Sequence, residues 1–423
     1  MIFRGFTFAL RPTPGQAEKF GHVAGVCRLV WNLALEQRRN HWRNYQARTG
    51  NNLNYVTQAR ELTALRAEVD FIRDGSQTAQ QYALKALDNA YRRAFKGLGG
   101  FPKPKKKGVN DAFTFNGREV LVERINHRWG RVRLPKIGWV KFRMTRDLEG
   151  RMTEVTVSRT ALGWQISIGC KIDRDIQDVG GAVGIDRGVA VPLMLSDGTA
   201  YRLPDTIALL ERRIRKAQRI ASRRKRGSVR HAKALRRVSA LKARQARIRK
   251  HWAHKATTEI SRSYGTVVIE RLRTKDMTKS ASGTIEKPGK NVAQKRGLNR
   301  AILNVGWHQV ETMLFYKAFR VVKVDPAHTS QTCSACGNLD SLSRKNQAAF
   351  VCTACGFRDN ADHNAAVNIL QRGNTPFVEP AMLQAMKREL PLVEILGLQA
   401  AEDVNSASNP KNRARQSNPT IAF

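Results

Sequence analysis

Residues 350–370 read FVCTACGFRDNADHNAAVNIL, and the organisation of the rest of the chain hangs on them. A Cys-x-x-Cys-Gly turn (Cys352 to Gly356) leads within a few residues to Asp362, at the head of an apolar helical run. The turn has the form of a metal knuckle. The aspartate is either a helix cap or one ligand of a site whose other members lie elsewhere.

The knuckle has a twin. Cys333 and Cys336 (CSACG) precede Cys352 and Cys355 (CTACG), with 15 residues between the pairs. The glycine after each pair permits a positive φ, so backbone N–H groups can face the thiolates. Two such turns supply four soft ligands in a tetrahedron, the set a structural zinc takes, with no position left for water. Redox-active pairs would need a thioredoxin-like βαβ setting, which the sequence lacks. His328 and His363 are not required as ligands and read as surface or capping residues. Of the six cysteines, Cys27 and Cys170 stand apart among apolar neighbours and read as small buried hydrophobes.

Composition points to the partner. The chain has 423 residues, enough for two to four domains. Its 75 Lys and Arg against 34 Asp and Glu give a net charge of +41. A polyanion must neutralise such an excess, and nucleic acid does so with release of counterions. A membrane surface would call for an amphipathic basic helix, a lipidation signal or a span of about 18 apolar residues, and none is present. MIFRGFTFALRPTPG, broken by Arg4 and Arg11, has no secretory apolar core, so the expected location is the cytoplasm, with the nucleoid when DNA-bound.

Along the chain, IFRGFTFAL alternates as a strand. Helical periodicity then begins at Gly15, with Phe20, Val23, Cys27, Val30, Trp31 and Ala34 on one face. Further helices are expected over 55–70 and 76–96, ending at the breaker GLGGFPKPKKKG, a boundary or phosphate-facing loop that holds Lys105 and Lys106. Residues 112–173 alternate again and read as β-rich. The opening strand therefore completes a small barrel or sheet with them, and the helices between are an insertion. From Glu211 to Lys250 there are 18 Lys or Arg and one acid, in two helical segments broken at residues 225–228. So few acids rule out salt-bridge lacing, and Arg223, Arg224, Lys225, Arg226, Arg236 and Arg237 are assigned to phosphate contact. A helix is expected over 298–320, with Leu303, Trp307, Val310 and Leu314 on one side. The tail from about 403 reads as disordered.

Three carboxylates end core elements: Asp186 in VGIDRG, Glu270 in TVVIE and Asp362. A buried strand has little use for an unpaired acid, which costs several kcal/mol. Converging acids repel one another unless divalent cations lie among them, and hard oxygen ligands suit Mg²⁺ or Mn²⁺. Two ions about 4 Å apart, Asp186 bridging them and Glu270 and Asp362 holding one each, would hydrolyse a phosphodiester by in-line displacement. Asp359 competes with Asp362 for the third place. Asp197, in a Ser-Asp-Gly turn, and Asp325, before Pro326, rank below both.

The order GIDRG, VVIERL, GLNRAILNVGW, TSQTCSACG, CTACG, ADHNAAVNIL resembles the TnpB (OrfB) proteins of bacterial insertion sequences, the relatives from which type V CRISPR effectors arose. GQAEKF, GVCRLVWNLAL and GFPKPKKK extend the likeness toward the N-terminus. The resemblance implies a multidomain α/β protein: an RNase H-like (RuvC) nuclease over 179–327 and 359–375, with its basic helices at about 206–262 and a zinc ribbon inserted at 328–358. It implies a wedge-like β-barrel from 1–11 and 108–178 that carries a helical recognition lobe, 12–107, and a largely disordered tail over 376–423. The catalytic triad falls on Asp186, Glu270 and Asp362. Guide RNA and target double-stranded DNA are the implied partners; of one or two copies acting together, a monomer is favoured and the sequence leaves the choice open. The last motif departs from the common Asp-Arg-Asp-x-Asn pattern, because Asn360 stands where that pattern has its first acid.

Three readings follow. The leading one is an Mg²⁺-dependent RNA-guided DNA endonuclease encoded by a transposable element, with a compact type V CRISPR effector as its near relation. The second, a non-cleaving RNA-guided binder, is disfavoured because all three acids are present. The third, a zinc-ribbon RNA-binding protein, leaves Asp186 and Glu270 without a purpose.

Overall fold

The computed structural model of the protein describes residues 2–45, 48, 50, 53–173, 175–284, 286–346 and 348–374, so the tail expected over 376–423 lies outside the described residues. The chain divides into two compact units. One comprises Met1–Gly181, Tyr201–Val267 and Arg273–Val321; the other comprises Ala182–Ala200, Val268–Leu272 and the chain from Val322.

In the first unit, β1 (Ile2–Arg11) turns Phe6, Phe8 and Leu10 inward. α1 (Pro14–Asn44) begins with a reciprocal capping box, in which the Thr13 hydroxyl accepts from Gln16 N–H and the Gln16 amide oxygen accepts from Thr13 N–H, with Pro14 in the first turn. α2 (Tyr55–Glu68) and α3 (Asp70–Asp74) divide the helix expected over 55–70, because Val69 is extended. α4 (Gln77–Phe95) is capped by the Ser76 hydroxyl. Six strands follow: β2 (Ala112–Asn116), β3 (Leu121–Arg124), β4 (Trp129–Leu134), β5 (Gly138–Arg143), β6 (Arg151–Thr160) and β7 (Gly163–Ile172). With β1 they form one seven-stranded sheet of order β2-β6-β7-β1-β5-β4-β3. β1 runs antiparallel to β7 from Ile2↔Ile172 to Ala9↔Gln165, then pairs with β5 at Leu10↔Phe142, so the first strand is central although the helices separate it from the others in sequence. Phe20 of α1 seats against Phe113 and Trp164 of this sheet, with ring centroids 5.7 and 5.1 Å away.

The lysine-rich breaker is an extended strap on α1. Trp31 Nε1 donates to Lys103 O at 3.1 Å, Asn32 exchanges two bonds with the Lys105 backbone, and Arg39 donates to Pro102 O at 3.0 Å.

The basic segment forms α5 (Thr206–Ser222) and α6 (Val229–Ser263). Ile207, Leu210, Ile214, Ala217 and Ala221 are all buried, as are Val238 and Trp252, while the arginines between them face water except Arg249, which is half-buried and donates to Asn304 O at 3.0 Å. The short α7 (Thr274–Met277) precedes α8 (Val292–Val305) and α9 (Trp307–Phe315), which replace the single helix expected over 298–320. Gly306 breaks it in the left-handed region at φ 78°. The break re-aims the apolar face: Ile302, Val305, Trp307, Val310 and Leu314 are buried, whereas Leu303, expected inward, is 58% exposed.

The second unit is built on a five-stranded sheet. β8 (Ala182–Asp186) pairs antiparallel with β9 (Leu193–Leu195) through Ile185↔Leu195 and Asp186↔Met194. With β10 (Ala200–Tyr201), β11 (Thr266–Glu270) and β12 (Arg320–Val324) the order is β10-β9-β8-β11-β12. The next pair, β13 (Ala349–Val351) and β14 (Arg358–Asn360), is an antiparallel ribbon, after which α10 (Ala361–Asn374) begins at once. α10 lies flush on β8 because Gly184 has no side chain: a Cβ there would stand 2.2 Å from Ala366 O and 2.6 Å from Leu370 N.

Candidate active site and metal centre

The two knuckles are built by the same local hydrogen bonds. Gly337 N–H donates to Cys333 O and Cys333 N–H to Asn338 O; Gly356 N–H donates to Cys352 O and Cys352 N–H to Phe357 O. Both glycines hold the positive φ expected of them, 75° and 71°. The four sulfurs all lie within 4.8 Å of one another, with Sγ of Cys333 3.8 Å from that of Cys355 and Sγ of Cys336 3.6 Å from that of Cys352. Cys333 and Cys352 are buried with Phe350 and Ala361, while Cys336 and Cys355 face outward. The Cys355 N–H directed at its sulfur holds the Cys352 thiol down at about 6. A closed set of four thiols, one of them inclined to ionise, fits a structural zinc. Cys27 and Cys170 are buried among apolar residues far from this cluster in sequence, and burial pushes the Cys27 thiol up to about 12.

The sheet of the second unit brings the three acids together. Asp186 ends β8, Glu270 ends the neighbouring β11, and Asp362 stands in the first turn of α10, the helix packed on β8. Glu270 is 6% and Asp362 8% exposed. Burial, then the charges of Glu270 and Asp362, pushes the Asp186 carboxyl up to about 7. Burial likewise raises Glu270 and Asp362. All three are therefore held against their preference for charge, a state that divalent cations would relieve.

Asp362 does not cap its helix. Asn360 does: its side-chain oxygen accepts from the N–H of Asp362 at 2.9 Å and of His363 at 3.2 Å. This gives Asn360 a structural role and leaves the Asp362 carboxylate free to face the other acids. Asp359, the rival for the third place, is instead engaged 2.7 Å from His363 Nδ1, whose Nε2 reaches Ser196 O at 3.3 Å. Asp197 and Asp325 accept from the backbone two residues on, as turn residues do. His328 takes a positive φ of 60° and closes a turn on Gln331.

Several contributors escaped the sequence reading. Thr329 Oγ1 donates to Glu270 Oε1 at 2.6 Å. The buried Arg187, next to Asp186, donates to the Glu270 carbonyl. Arg344, which lies between the two knuckles in sequence, reaches Asp362 Oδ1 at 3.6 Å and draws the Asp186 and Asp362 carboxyls downward against their burial. Asn364 and Asn368, buried on α10, bind the first knuckle: both donate to Thr332 O, at 2.8 and 2.7 Å, and Asn368 also to Thr329 O. Asparagines four apart in the apolar run ADHNAAVNIL were the signal for this pair. No pattern announces Thr329 or Arg344, which arrive from loops.

Of the residues assigned to phosphate, Arg223, Arg224, Lys225 and Arg226 stand exposed at the junction of α5 and α6, and Arg236 and Arg237 are exposed on α6. Lys106 is exposed, whereas Lys105 is half-buried with Nζ 3.8 Å from the Trp31 ring centroid, so part of its role is to fasten the strap. Among the described residues no helix is long and apolar enough to cross a membrane.

Three family descriptions match the chain: "Helix-turn-helix domain" over residues 1–47, "Probable transposase" of the OrfB/IS605 type over 168–281 and "Cas12f1-like, TNB domain" over 307–369. The first describes a shape that the described part of its span does not have, since β1 is followed there by the single continuous α1. InsQ of Escherichia coli (strain K12), named as an RNA-guided DNA endonuclease, is 35% identical over 390 residues, 90% of this chain and 95% of that protein. A Streptomyces pristinaespiralis protein of similar name is 32% identical over 393 residues, 88% of this chain and 90% of that protein. A cryo-EM structure of a Cas12f1–sgRNA–target DNA complex aligns at a TM-score of 0.53 and 16% identity over 84% of this chain and 83% of that one, a likeness of fold.

Proposed function

We propose, from the premise that this chain belongs to the TnpB (OrfB/IS605) family of insertion-sequence proteins, that it is an RNA-guided DNA endonuclease. The observation that carries this reading is the meeting of Asp186, Glu270 and Asp362 where β8 and β11 end and α10 begins, with the Asp186 carboxyl pushed up to about 7. The net charge of +41 supports a nucleic-acid substrate.

In this reading residues 179–327 with 359–375, which include the three acids, are an RNase H-like (RuvC) nuclease. Residues 328–358 are its zinc ribbon, 1–11 with 108–178 the wedge, and 12–107 the recognition lobe. Asp186, Glu270 and Asp362 would hold Mg²⁺ or Mn²⁺, which when bound would activate water and stabilise the leaving oxygen of a phosphodiester. The chain's own part is to aim the ligands. The Thr329 hydroxyl fixes the rotamer of Glu270, Arg187 anchors the end of β11 through the Glu270 carbonyl, and the Asn360 cap spares the Asp362 carboxylate from backbone duty. Arg344 offsets part of the repulsion among the acids. Guide RNA and target duplex would lie along the exposed arginines of α5 and α6, held by their backbones. The protein would act as a monomer in the bacterial cytoplasm.

The test is reconstitution with RNA transcribed from the end of the encoding element, a matched duplex and Mg²⁺. Wild type should cut and Asp186→Ala should not; equal behaviour of the two sinks the reading. Reversing Arg223 and Arg224 to Glu should weaken nucleic-acid binding and lower the slope of log K against log salt by about 2. Should Glu270→Gln lose binding to the same degree, the division between phosphate contact and chemistry is wrong.

A further inference from the structure

The last turns of α1 and α4, together with Phe101 and Pro102 from the strap, enclose a cavity of about 630 Å³ that the nuclease reading leaves without a task. Its walls are aromatic and wet: Trp42 is 58%, Phe95 62% and Phe101 61% exposed. The rings stand near one another without hiding one another, with Trp42 6.3 Å from Phe95 at 32° and Phe101 5.6 Å from Phe95 at 86°. Large contiguous exposed apolar surface marks a place where something else sits.

Charge says what. Arg38, Arg39, Arg43 and Arg92 line the cavity against a single acid, Asp88. Both Asp88 oxygens are taken, one by Arg38 at 3.1 Å and the other by Arg92 at 2.8 Å. Arg38 is itself 9% exposed, bonded to Gln58 at 2.8 Å and stacked 5.3 Å over Tyr91. The floor is thus a fixed cationic plate, and the rim keeps spare positive charge. An apolar helix of a protein partner would have to desolvate those guanidiniums; a nucleotide offers a flat π face to the rings and a phosphate to the arginines.

We infer that this cavity holds an unpaired, stacked base of the guide RNA. The choice of RNA rests on the nuclease reading. In that reading the guide is the strand that is held throughout and not cut, which suits a pocket that grips a base. The pocket takes any base, because every base has a π face, and it fixes the register of the guide.

The experiment uses the full chain and four 12-nucleotide probes: single-stranded RNA, the same RNA with abasic sites, the matching single-stranded DNA and duplex RNA. Trp42→Ala, Phe95→Ala and Trp42→Phe are compared with wild type. Stacking predicts that single-stranded RNA quenches wild-type tryptophan fluorescence, that Trp42→Ala and Phe95→Ala each bind it about tenfold more weakly, and that Trp42→Phe restores affinity while losing most of the quench. Unchanged melting temperatures establish that these exposed substitutions do not unfold the lobe. Equal affinity for the abasic probe, an effect of Trp42→Ala confined to DNA or to duplex, or a concentration-dependent dimer that Trp42→Ala abolishes overturns the proposal, the last by making a second copy the occupant. The nuclease reading is tested separately by Asp186→Ala, so base-dependent RNA binding without guided cleavage would leave the pocket standing and remove the endonuclease.

Discussion

The four cysteines and the three carboxylates are both candidate metal sites, yet they are assembled in opposite ways. Each knuckle is a closed turn whose ligands lie three residues apart, held by its own backbone bonds and by a positive-φ glycine. The acids come from the ends of β8 and β11 and the start of α10, and only the sheet and the helix on it bring them together. Their electrostatics differ too. A backbone N–H draws the Cys352 thiol down to about 6, so that ligand is readied for metal, whereas burial and its neighbours push Asp186 up to about 7, so that ligand resists charge until a cation arrives. A local site can be permanent at little cost to the fold. A site assembled at long range stores repulsion, which suits ions that act on a substrate.

The contrast is broken most completely through the knuckles. Cys333→Ser with Cys352→Ser should cost one equivalent of zinc by metal analysis. Because structural zinc contributes about 10 kcal/mol or more to the folding of such modules, the ribbon around Phe350 should become open to limited proteolysis. Glu270→Gln should act the other way: DNA cleavage should fall at least about 1000-fold in a gel assay, of the order seen when a central catalytic group is lost, with zinc content and RNA affinity unchanged.

Acidity sharpens the difference. The Asp186 carboxyl stands at about 7 in the fold against an ordinary 3.8, so between those values the folded chain keeps a proton that the unfolded chain has lost. Its contribution to the stability of the metal-free protein is complete below pH 3.8 and is lost as pH rises through about 7. The same proton opposes divalent cations, so guided cleavage at subsaturating Mg²⁺ should drop about tenfold from pH 8 to pH 6, while zinc remains bound. The smallest effect belongs to Asn360→Ala. Loss of the cap should lower stability by about 1 kcal/mol in denaturant unfolding and reduce cleavage only through looser placement of Asp362.

How much of this was legible follows from the same contrast. Spacing and glycine identity disclosed the four-cysteine cluster, because its geometry is a property of two short turns. Asp186 and Glu270 were visible as acids that a buried strand has no reason to carry. Their company was hidden: Thr329, Arg187 and Arg344 are ordinary residues in sequence and become relevant only where the fold puts them. The helix expected over 298–320 was misread because apolar residues recur through it at nearly helical spacing. Gly306 breaks the backbone there without breaking the pattern, and Leu303 turns outward as a result. The seat of Lys105 on Trp31 was equally out of reach, since a lysine run carries no mark of which member lies against a ring.

Gly184 has a bearing on mutational tolerance. With no room for a Cβ at Gly184 against Ala366 O and Leu370 N, and with a Cβ at Gly373 destined to stand 2.4 Å from Val268 Cγ2, α10 is docked through two bare backbones, one against its middle and one near its C-terminal end. The gap between the aspartates is thus a machining tolerance set by missing methyl groups. A neutral change such as Gly184→Ala, touching no charge and no cysteine, is the kind of lesion that would leave the charge pattern and the four thiols intact while Asp186 and Asp362 are gauged slightly too far apart.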